Sequence, residues 1–117
     1  MITIYGIKNC DTVRKALKWM TEQGIEHQFH DFRKQPLAVA QIENWIDVVG
    51  RDKLINTRGT TYRKLDDPSK AALDGASAAT LLAETPTLMK RPIFEGEADI
   101  FVGFTDAEKA KLLQLKD

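Results

Sequence analysis

The chain contains one cysteine, Cys10, within the segment "YGIKNCDTVRKALKWM". A thiol is a nucleophile only as its thiolate, and a free cysteine with a pKa near ~8.5 is mostly protonated at neutral pH. Lys8 and Arg14 bring positive charge to both sides of Cys10, and a helix pattern begins between Cys10 and Arg14. The unpaired amides and positive dipole end of that helix would then face the sulfur. Asp11 opposes this effect, since we expect it to be the N-cap that competes for the same amides.

Two interpretations of Cys10 follow from these residues. It is either a small buried hydrophobe, which is common for a lone cysteine, or a reactive thiol. Its neighbours Lys8, Asn9, Asp11 and Thr12 are polar and predict an exposed loop, which favours the reactive thiol.

The overall composition narrows the class of protein. With 117 residues the chain is long enough for one domain, and 17 basic residues balance 17 acidic ones, so no net field favours nucleic acid or an anionic membrane. A single cysteine cannot form an internal disulfide, which fits a reducing compartment. The segment "MITIYGIKNC" lacks a signal-peptide pattern, and no apolar run approaches a membrane span. We therefore expect a cytoplasmic monomer.

The elements that would position Cys10 form a strand–helix–strand unit. Residues 2–5 ("ITIY") predict a buried strand, and an apolar face at helical spacing follows, ending near Gly24. Residues 25–32 predict a second strand. Short joins between the three elements imply a right-handed parallel crossover.

The remaining chain predicts a helical segment and a hairpin. Pro36 is expected to open a helix that Gly50 closes, and several short helices follow over 51–86, interrupted at Asp67-Pro68. Residues 92–104 predict a hairpin, and "TDAE" at 105–108 is a capping box for a last helix. We predict a single α/β domain, with a mixed sheet of about four strands from residues 1–35 and 87–117, flanking helices, and an all-helical insertion over about 36–86.

Three segments carry a family resemblance: "YGIKNCDTVRKALKWM", "NTRGTTYRKL" (56–65) and "PTLMKRPIF" (86–94). In this order they resemble the ArsC-like branch of the thioredoxin superfamily, over nearly the whole chain, and most of all its short YffB-type members. The resemblance implies a thioredoxin-like fold. It also implies kinship with glutaredoxin-linked arsenate reductases and with Spx-type regulators that bind RNA polymerase.

At single positions the resemblance implies specific roles. Cys10 matches the nucleophile of the arsenate reductases, Arg58 and Arg91 match two arginines that hold the oxyanion, and Arg14 matches the arginine of the cysteine loop. A guanidinium offers a planar fork of donors that suits arsenate or a carboxylate of glutathione. Pro92 is implied to follow a cis peptide bond beside the cysteine loop.

Other interpretations of these residues remain open. Arg58 is also compatible with a solvated loop position, and Arg91 with a residue held extended by the proline after it. His27 and His30 lack nearby acidic or thiol ligands in a clear pattern, so we expect edge or surface positions and no metal site.

The chain departs from the family pattern at three positions. The resemblance implies a histidine in the arsenate reductases at the position of Gly6. It also implies a third arginine at the position of Phe104. Losing one cation from an oxyanion pocket removes a contact of roughly 1.5–3 kcal/mol, which weakens the case for efficient arsenate reduction. Val13 stands where the Spx-type Cys-x-x-Cys switch has its second cysteine.

The leading hypothesis is a thiol-dependent reductase with Cys10 as nucleophile. Arg58 and Arg91 would bind the anionic substrate or glutathione, and Arg14 and Lys8 would support the thiolate. Glutathione is the expected co-substrate, glutaredoxin a possible protein partner, and no bound cofactor is expected. The alternatives are a non-catalytic Spx-like regulator that binds RNA polymerase or another protein, and a family member that binds glutathione without chemistry.

Overall fold

The computed structural model describes residues 1–116, which fold into four strands, seven α-helices and one 3-10 turn. In chain order these are β1 (Ile2–Gly6), α1 (Asp11–Glu22), β2 (His27–Asp31), α2 (Val39–Val49), α3 (Arg51–Leu54), α4 (Thr60–Arg63), α5 (Asp67–Ala72), α6 (Ala78–Glu84), the 3-10 turn (Pro86–Leu88), β3 (Ile93–Glu95), β4 (Ile100–Val102) and α7 (Asp106–Leu115).

Contacts group the described residues into two compact units. The first unit comprises residues 1–35 and the described residues from Arg91 onward, and the second unit comprises residues 36–90. All four strands belong to the first unit, whereas the second unit is built from short helices.

The first unit contains a mixed sheet in the order β2-β1-β3-β4. β1 and β2 are parallel, with Ile4 opposite Phe29, and α1 connects them. β3 is antiparallel to both β1 and β4, with Phe94 opposite Ile4 on one side and Phe101 on the other. The predicted crossover and hairpin are confirmed, and so is the thioredoxin-like α/β class with helices flanking a four-stranded sheet.

The core of the first unit lies between this sheet and the helices α1 and α7. α1 buries Val13, Ala16 and Met20, the face that the apolar spacing predicted. The buried cluster consists of Ile2, Ile4, Ala16, Met20, Ile25, Phe94, Phe101 and Leu112. Each large apolar side chain removed from water contributes about 1.5–3 kcal/mol, so these contacts hold β1 and α1 in place around the turn that carries Cys10.

The capping box of α7 is confirmed. The backbone N–H of Thr105 donates to Oε1 of Glu108 at 2.7 Å, and the Thr105 hydroxyl also contacts that oxygen at 2.7 Å. Burial opposes ionisation of Glu108, but the hydrogen bonds from Thr105 together outweigh it and lower the pKa of Glu108.

The second unit packs its helices around Trp45. Trp45 and Ile42 on α2 are fully buried, as are Leu54, Leu82, Leu88 and Met89. α2 contacts both α3 and α6. Gly50 has a φ of 93°, a conformation that favours glycine, and it ends α2 where the sequence predicted.

Three details of the helical segment differ from the prediction. α2 begins at Val39 and not at Pro36, because the chain stays extended through Ala38. Asp67-Pro68 is not an interruption: it begins α5, since proline is tolerated in a first helical turn whose N–H needs no partner. The segment is also not entirely helical, because Ile55 forms an isolated antiparallel bridge with Met89.

No helix formed by residues 1–116 combines the length and apolar character that crossing a membrane requires.

Candidate active site

Cys10 is the N-cap of α1, at the end of an exposed turn formed by Lys8 and Asn9. Its backbone N–H donates to the carbonyl of Ile7 at 3.3 Å, and its carbonyl accepts the N–H of Arg14 at 2.9 Å, the first hydrogen bond of the helix. Cys10 has an extended backbone (φ −96°, ψ 125°), and its thiol is free and half-buried. The polar neighbours therefore correctly predicted an exposed loop next to a sulfur that is not sealed in the core.

The prediction that Asp11 caps α1 is wrong. Asp11 is already the first helical residue, and its carboxylate pairs with the guanidinium of Arg14 one turn later. The hydrogen bond from Arg14 and its positive charge lower the pKa of Asp11. Because the Asp11 carboxylate points to Arg14, it does not compete for the first-turn amides as the sequence suggested.

Arg91 and Pro92 lie at the same end of the sheet as the cysteine turn. Ile93, which begins β3, is opposite Tyr5 near the end of β1, and β1 leads directly into the Lys8–Cys10 turn. The Arg91–Pro92 peptide bond is cis, as the resemblance implied. Pro92 is buried and its carbonyl accepts the N–H of Gly103 at 2.9 Å.

The Arg91 side chain is half-buried, and its Nε atom is shielded from solvent. A guanidinium in such a position is less screened by water than a surface one, so its charge acts more strongly on an anion.

Arg58 belongs to the second unit, in an exposed turn before α4. Its backbone N–H donates to Oδ1 of Asn56 at 3.3 Å, and its carbonyl accepts from Nη2 of Arg63 at 2.6 Å. The guanidinium of Arg63, at the end of α4, therefore holds this turn. The substrate-binding role of Arg58 stays a prediction.

The two histidines make structural contacts. Nδ1 of His27 lies 2.8 Å from the carbonyl of Ile25, and Nε2 of His30 lies 2.9 Å from the carbonyl of Gln35. The His30 ring also packs on Tyr5, with centroids 4.9 Å apart. Across residues 1–116, no group of three His, Cys, Asp or Glu side chains is arranged to hold a metal ion.

A cleft of about 560 Å³ opens in the first unit beside the cysteine turn. We call it the basic cleft, and it is lined by Lys8, Arg14, Leu17, Phe29, Asp31, Lys34 and Gln35. Lys8 and Arg14 were predicted as site residues, whereas the other five lining residues were not predicted from the sequence. The signal was present in the predicted crossover, because parallel strands end at the same edge of a sheet: Gly6 is opposite Asp31, so the turns that follow β1 and β2 are neighbours.

Phe104, at the position of the third family arginine, is an apolar packing residue. Its ring lies 5.7 Å from that of Trp19 and 6.4 Å from that of Phe94, measured between centroids. The Phe104 side chain is uncharged, so it cannot bind an oxyanion as an arginine does.

Comparisons with known proteins were consistent with one another. The family model described as "ArsC family" matches residues 5–112. An uncharacterized protein of Haemophilus influenzae is 47% identical over 108 residues, which is 92% of this chain and 95% of that protein. The global transcriptional regulator Spx of Listeria innocua is 29% identical over 97% of this chain and 87% of its own.

Two solved structures are also similar to this chain in fold and sequence. A YFFB protein superposes with a TM-score of 0.88 at 38% identity, covering 96% of this chain and 99% of its own. An arsenate reductase (ArsC) related protein from Brucella melitensis has a TM-score of 0.75 at 38% identity, covering 97% and 95%.

Proposed function

This chain belongs to the ArsC family, as its three motifs predicted, and we propose that it is a thiol-dependent reductase in which Cys10 is the nucleophile and glutathione the external thiol. The observation that carries the proposal is the position of Cys10. A free, half-buried sulfur lies at the N-terminal end of a twelve-residue helix in a family whose members include arsenate reductase-like proteins.

The chemistry uses two thiol–disulfide exchanges. The Cys10 thiolate attacks one sulfur of a glutathione mixed disulfide, so that a Cys10–glutathione disulfide forms and the substrate leaves as its thiolate. A second glutathione thiolate then attacks the sulfur of the bound glutathione. Cys10 is released as a thiolate and oxidised glutathione leaves, so each cycle consumes one free glutathione, which replaces the substrate thiol in the disulfide.

A single cysteine is sufficient for this cycle. Within the chain there is no resolving cysteine, so the Cys10 disulfide must be reduced from outside. Cys10 lies at the N-terminal end of α1, where the positive end of a helix dipole is found.

The basic residues have separate roles in the proposal. Arg91 lies at the same end of the sheet as the cysteine turn, and we assign it to a carboxylate of glutathione or to an oxyanion. We assign Arg58 an anion-binding role on the strength of the family match alone. We assign Lys8 to support of the thiolate, because it lies in the exposed turn two residues before Cys10. Arg14 contributes less charge there than its position in the sequence suggested, because Asp11 pairs with it.

A disulfide is a better candidate substrate than arsenate. Arsenate carries its charge on oxygens that need several convergent cations, and Phe104 removes one that the arsenate reductases provide. A mixed disulfide presents a neutral sulfur to Cys10 and needs cations only for the carboxylates of glutathione.

The proposal is tested by glutathione-dependent turnover. Reduction of the mixed disulfide between glutathione and 2-mercaptoethanol is followed by coupling oxidised glutathione to glutathione reductase and NADPH. We expect turnover for the wild type and none above background for Cys10→Ser, with arsenate tested in parallel as a poorer substrate. Equal rates for the wild type and Cys10→Ser would refute the proposal.

Non-covalent binding of glutathione without turnover would favour the third alternative, a family member that binds glutathione without chemistry. Isothermal titration calorimetry with reduced glutathione measures this binding. Mass spectrometry after incubation with oxidised glutathione shows whether a Cys10–glutathione disulfide forms instead, and Cys10→Ser controls for its position.

The similarity to Spx supports a second candidate, a regulator that binds RNA polymerase. The resemblance to Spx-type regulators implies contact with this enzyme, and the global transcriptional regulator Spx of Listeria innocua matches 97% of this chain. Val13 excludes a disulfide switch within the Cys10 loop, so such binding would not depend on an internal disulfide.

Binding to purified bacterial RNA polymerase separates the two candidates. Biolayer interferometry with the immobilised chain, wild type and Cys10→Ser, would give saturable binding that is equal for both if the protein is a regulator of this kind. Absence of binding together with turnover would leave the reductase as the function.

A further inference from the structure

We propose that the basic cleft binds an extended acidic peptide segment of a partner protein, with a large apolar side chain of that segment packed on Leu17 and Phe29. The inference deepens the proposed function by naming the protein side of the disulfide, and it rests on that function only for the reaction at Cys10. Binding in the cleft can be measured without any reaction.

The charges that line the cleft favour an anionic ligand. Lys8, Arg14 and Lys34 are exposed and come from three parts of the fold: the turn after β1, the first turn of α1 and the turn after β2. Asp31 is the one carboxylate in the lining.

Two of the three cations are available to a ligand. Arg14 is matched by Asp11, but among residues 1–116 no carboxylate forms an ion pair with Lys8 or Lys34. An acidic ligand would therefore find two ammonium groups that form no ion pair, and one opposing carboxylate, that of Asp31, in the same lining.

The floor of the cleft is apolar. Leu17 on α1 and Phe29 on β2 are both half-buried, so each leaves part of its side chain in contact with water. Covering this surface with an apolar side chain gains roughly 25 cal/mol for each Å² removed from water. An inorganic oxyanion would leave Leu17 and Phe29 in contact with water and would gain no hydrophobic free energy from them. The ligand should therefore combine acidic groups with an apolar one.

The position of β2 favours a peptide over a small molecule. β2 ends the sheet order, so within the sheet it pairs only with β1 and its other edge has no strand partner. An extended peptide can hydrogen-bond to such an edge while its alternate side chains reach the adjacent surface. The volume of about 560 Å³ accommodates one or two large side chains next to that strand.

The cleft also lies where a substrate protein would be held during the first exchange. Lys8 and Arg14, which flank Cys10 in the chain, both line it. A cysteine flanked by acidic and apolar residues would then be presented to Cys10 with its neighbours in the cleft. Binding of this kind raises the effective concentration of the disulfide at the sulfur.

The test uses a hexapeptide without cysteine, acetyl-EDLFEE-amide, titrated into the full ¹⁵N-labelled chain and followed by NMR. We expect saturable shift changes at Lys8, Leu17, Phe29 and Lys34, and weaker binding when NaCl is raised from about 0.05 to about 0.5 M. The neutral analogue acetyl-QNLFQQ-amide should bind at least about tenfold more weakly.

Two charge reversals locate the site. Lys34→Glu should weaken peptide binding about five- to tenfold, whereas Lys18→Glu, the same change at an exposed position of α1 outside the cleft, should leave it unchanged.

Failure of the inference and failure of the proposed function give different results. Saturable peptide binding with no turnover would support the cleft as a peptide site and refute the reductase. Turnover with no peptide binding would support the reductase and refute the cleft as a peptide site. Equal effects of Lys34→Glu and Lys18→Glu, or shift changes outside the cleft, would overturn the inference.

Discussion

A β-carbon on Gly6 would lie 2.7 Å from Cγ2 of Val13, closer than two carbon atoms can approach without one of them moving. Gly6 ends β1 and Val13 is in the first turn of α1, so this contact sets how closely the helix that begins at Cys10 packs on the strand. Gly6 replaces the histidine of the resembling arsenate reductases, and Val13 replaces the second cysteine of the Spx switch. The two departures therefore lie side by side, in contact between β1 and α1.

Gly6→Ala is expected to destabilise the fold by about 1–3 kcal/mol, because the added methyl overlaps a buried side chain. Val13→Ala removes the overlapping methyl groups, so the double variant should be less destabilised than the sum of the two single ones. Urea denaturation of all three variants measures this coupling. Gly96→Ala is the matched control, since a β-carbon there meets nothing within 4 Å. Additive effects at Gly6 and Val13 would contradict the prediction.

The Asp11–Arg14 pair should be visible in the titration of Asp11. Because its pKa is lowered in the folded protein, the pair favours folding above the unfolded pKa and loses this effect as the pH falls through the folded one. Arg14→Gln should raise the pKa of Asp11 towards its ordinary value, as measured by ¹³C NMR of the carboxyl group. Arg33→Gln, an exposed arginine in the turn after β2, should not change it.

Removing Asp11 should also change the reactivity of Cys10 towards charged reagents. Asp11→Asn leaves the charge of Arg14 unmatched one turn from the sulfur, so alkylation by the anion iodoacetate should accelerate relative to neutral iodoacetamide. The ratio of the two rates is the readout. The same ratio in the wild type and Asp11→Asn would show that Arg14 does not act on the entry of anions to Cys10.

The capping box of α7 should contribute about 1 kcal/mol to stability at neutral pH. Thr105→Ala removes its hydroxyl contact with Glu108, and Thr57→Ala, an exposed loop threonine, is the control. Because the pKa of Glu108 is lowered in the folded protein, its contribution is present above the unfolded pKa and is lost as the pH falls through the folded one. The difference between Thr105→Ala and wild type in urea midpoints should therefore shrink in acid, and a constant difference would contradict this.

Arg58→Ala and Arg91→Ala should each raise KM for glutathione about tenfold or more, because each removes a charge-assisted hydrogen bond worth roughly 1.5–3 kcal/mol. Arg33→Ala, with the same change of charge at an exposed position, should leave KM unchanged. Steady-state kinetics at varied glutathione concentration gives the comparison. Unchanged KM in Arg58→Ala would remove that residue from the site while leaving the role of Arg91 intact.

Some features of the chain followed from short-range sequence patterns. The buried face of α1, the β3–β4 hairpin and the Thr105–Glu108 capping box were all predicted correctly, because each depends on residues a few positions apart. The start of α5 was not, since Asp67-Pro68 is compatible both with a break and with a first helical turn. The cap of α1 was also missed, because the Asp11 carboxylate could reach either the amides or Arg14.

The sequence by itself determined the nucleophile candidate and the family, since both reside in contiguous motifs around Cys10, Arg58 and Arg91. Only the tertiary structure decided which residues surround the cysteine turn. Antiparallel pairing of β3 with β1 brings Arg91 to the end of the sheet where that turn lies. Parallel pairing of β1 with β2 brings Lys34 and Phe29 beside Lys8 and Arg14. Strand pairing brings together residues that are far apart in the chain. The basic cleft could therefore not be predicted from the spacing of residues around Cys10.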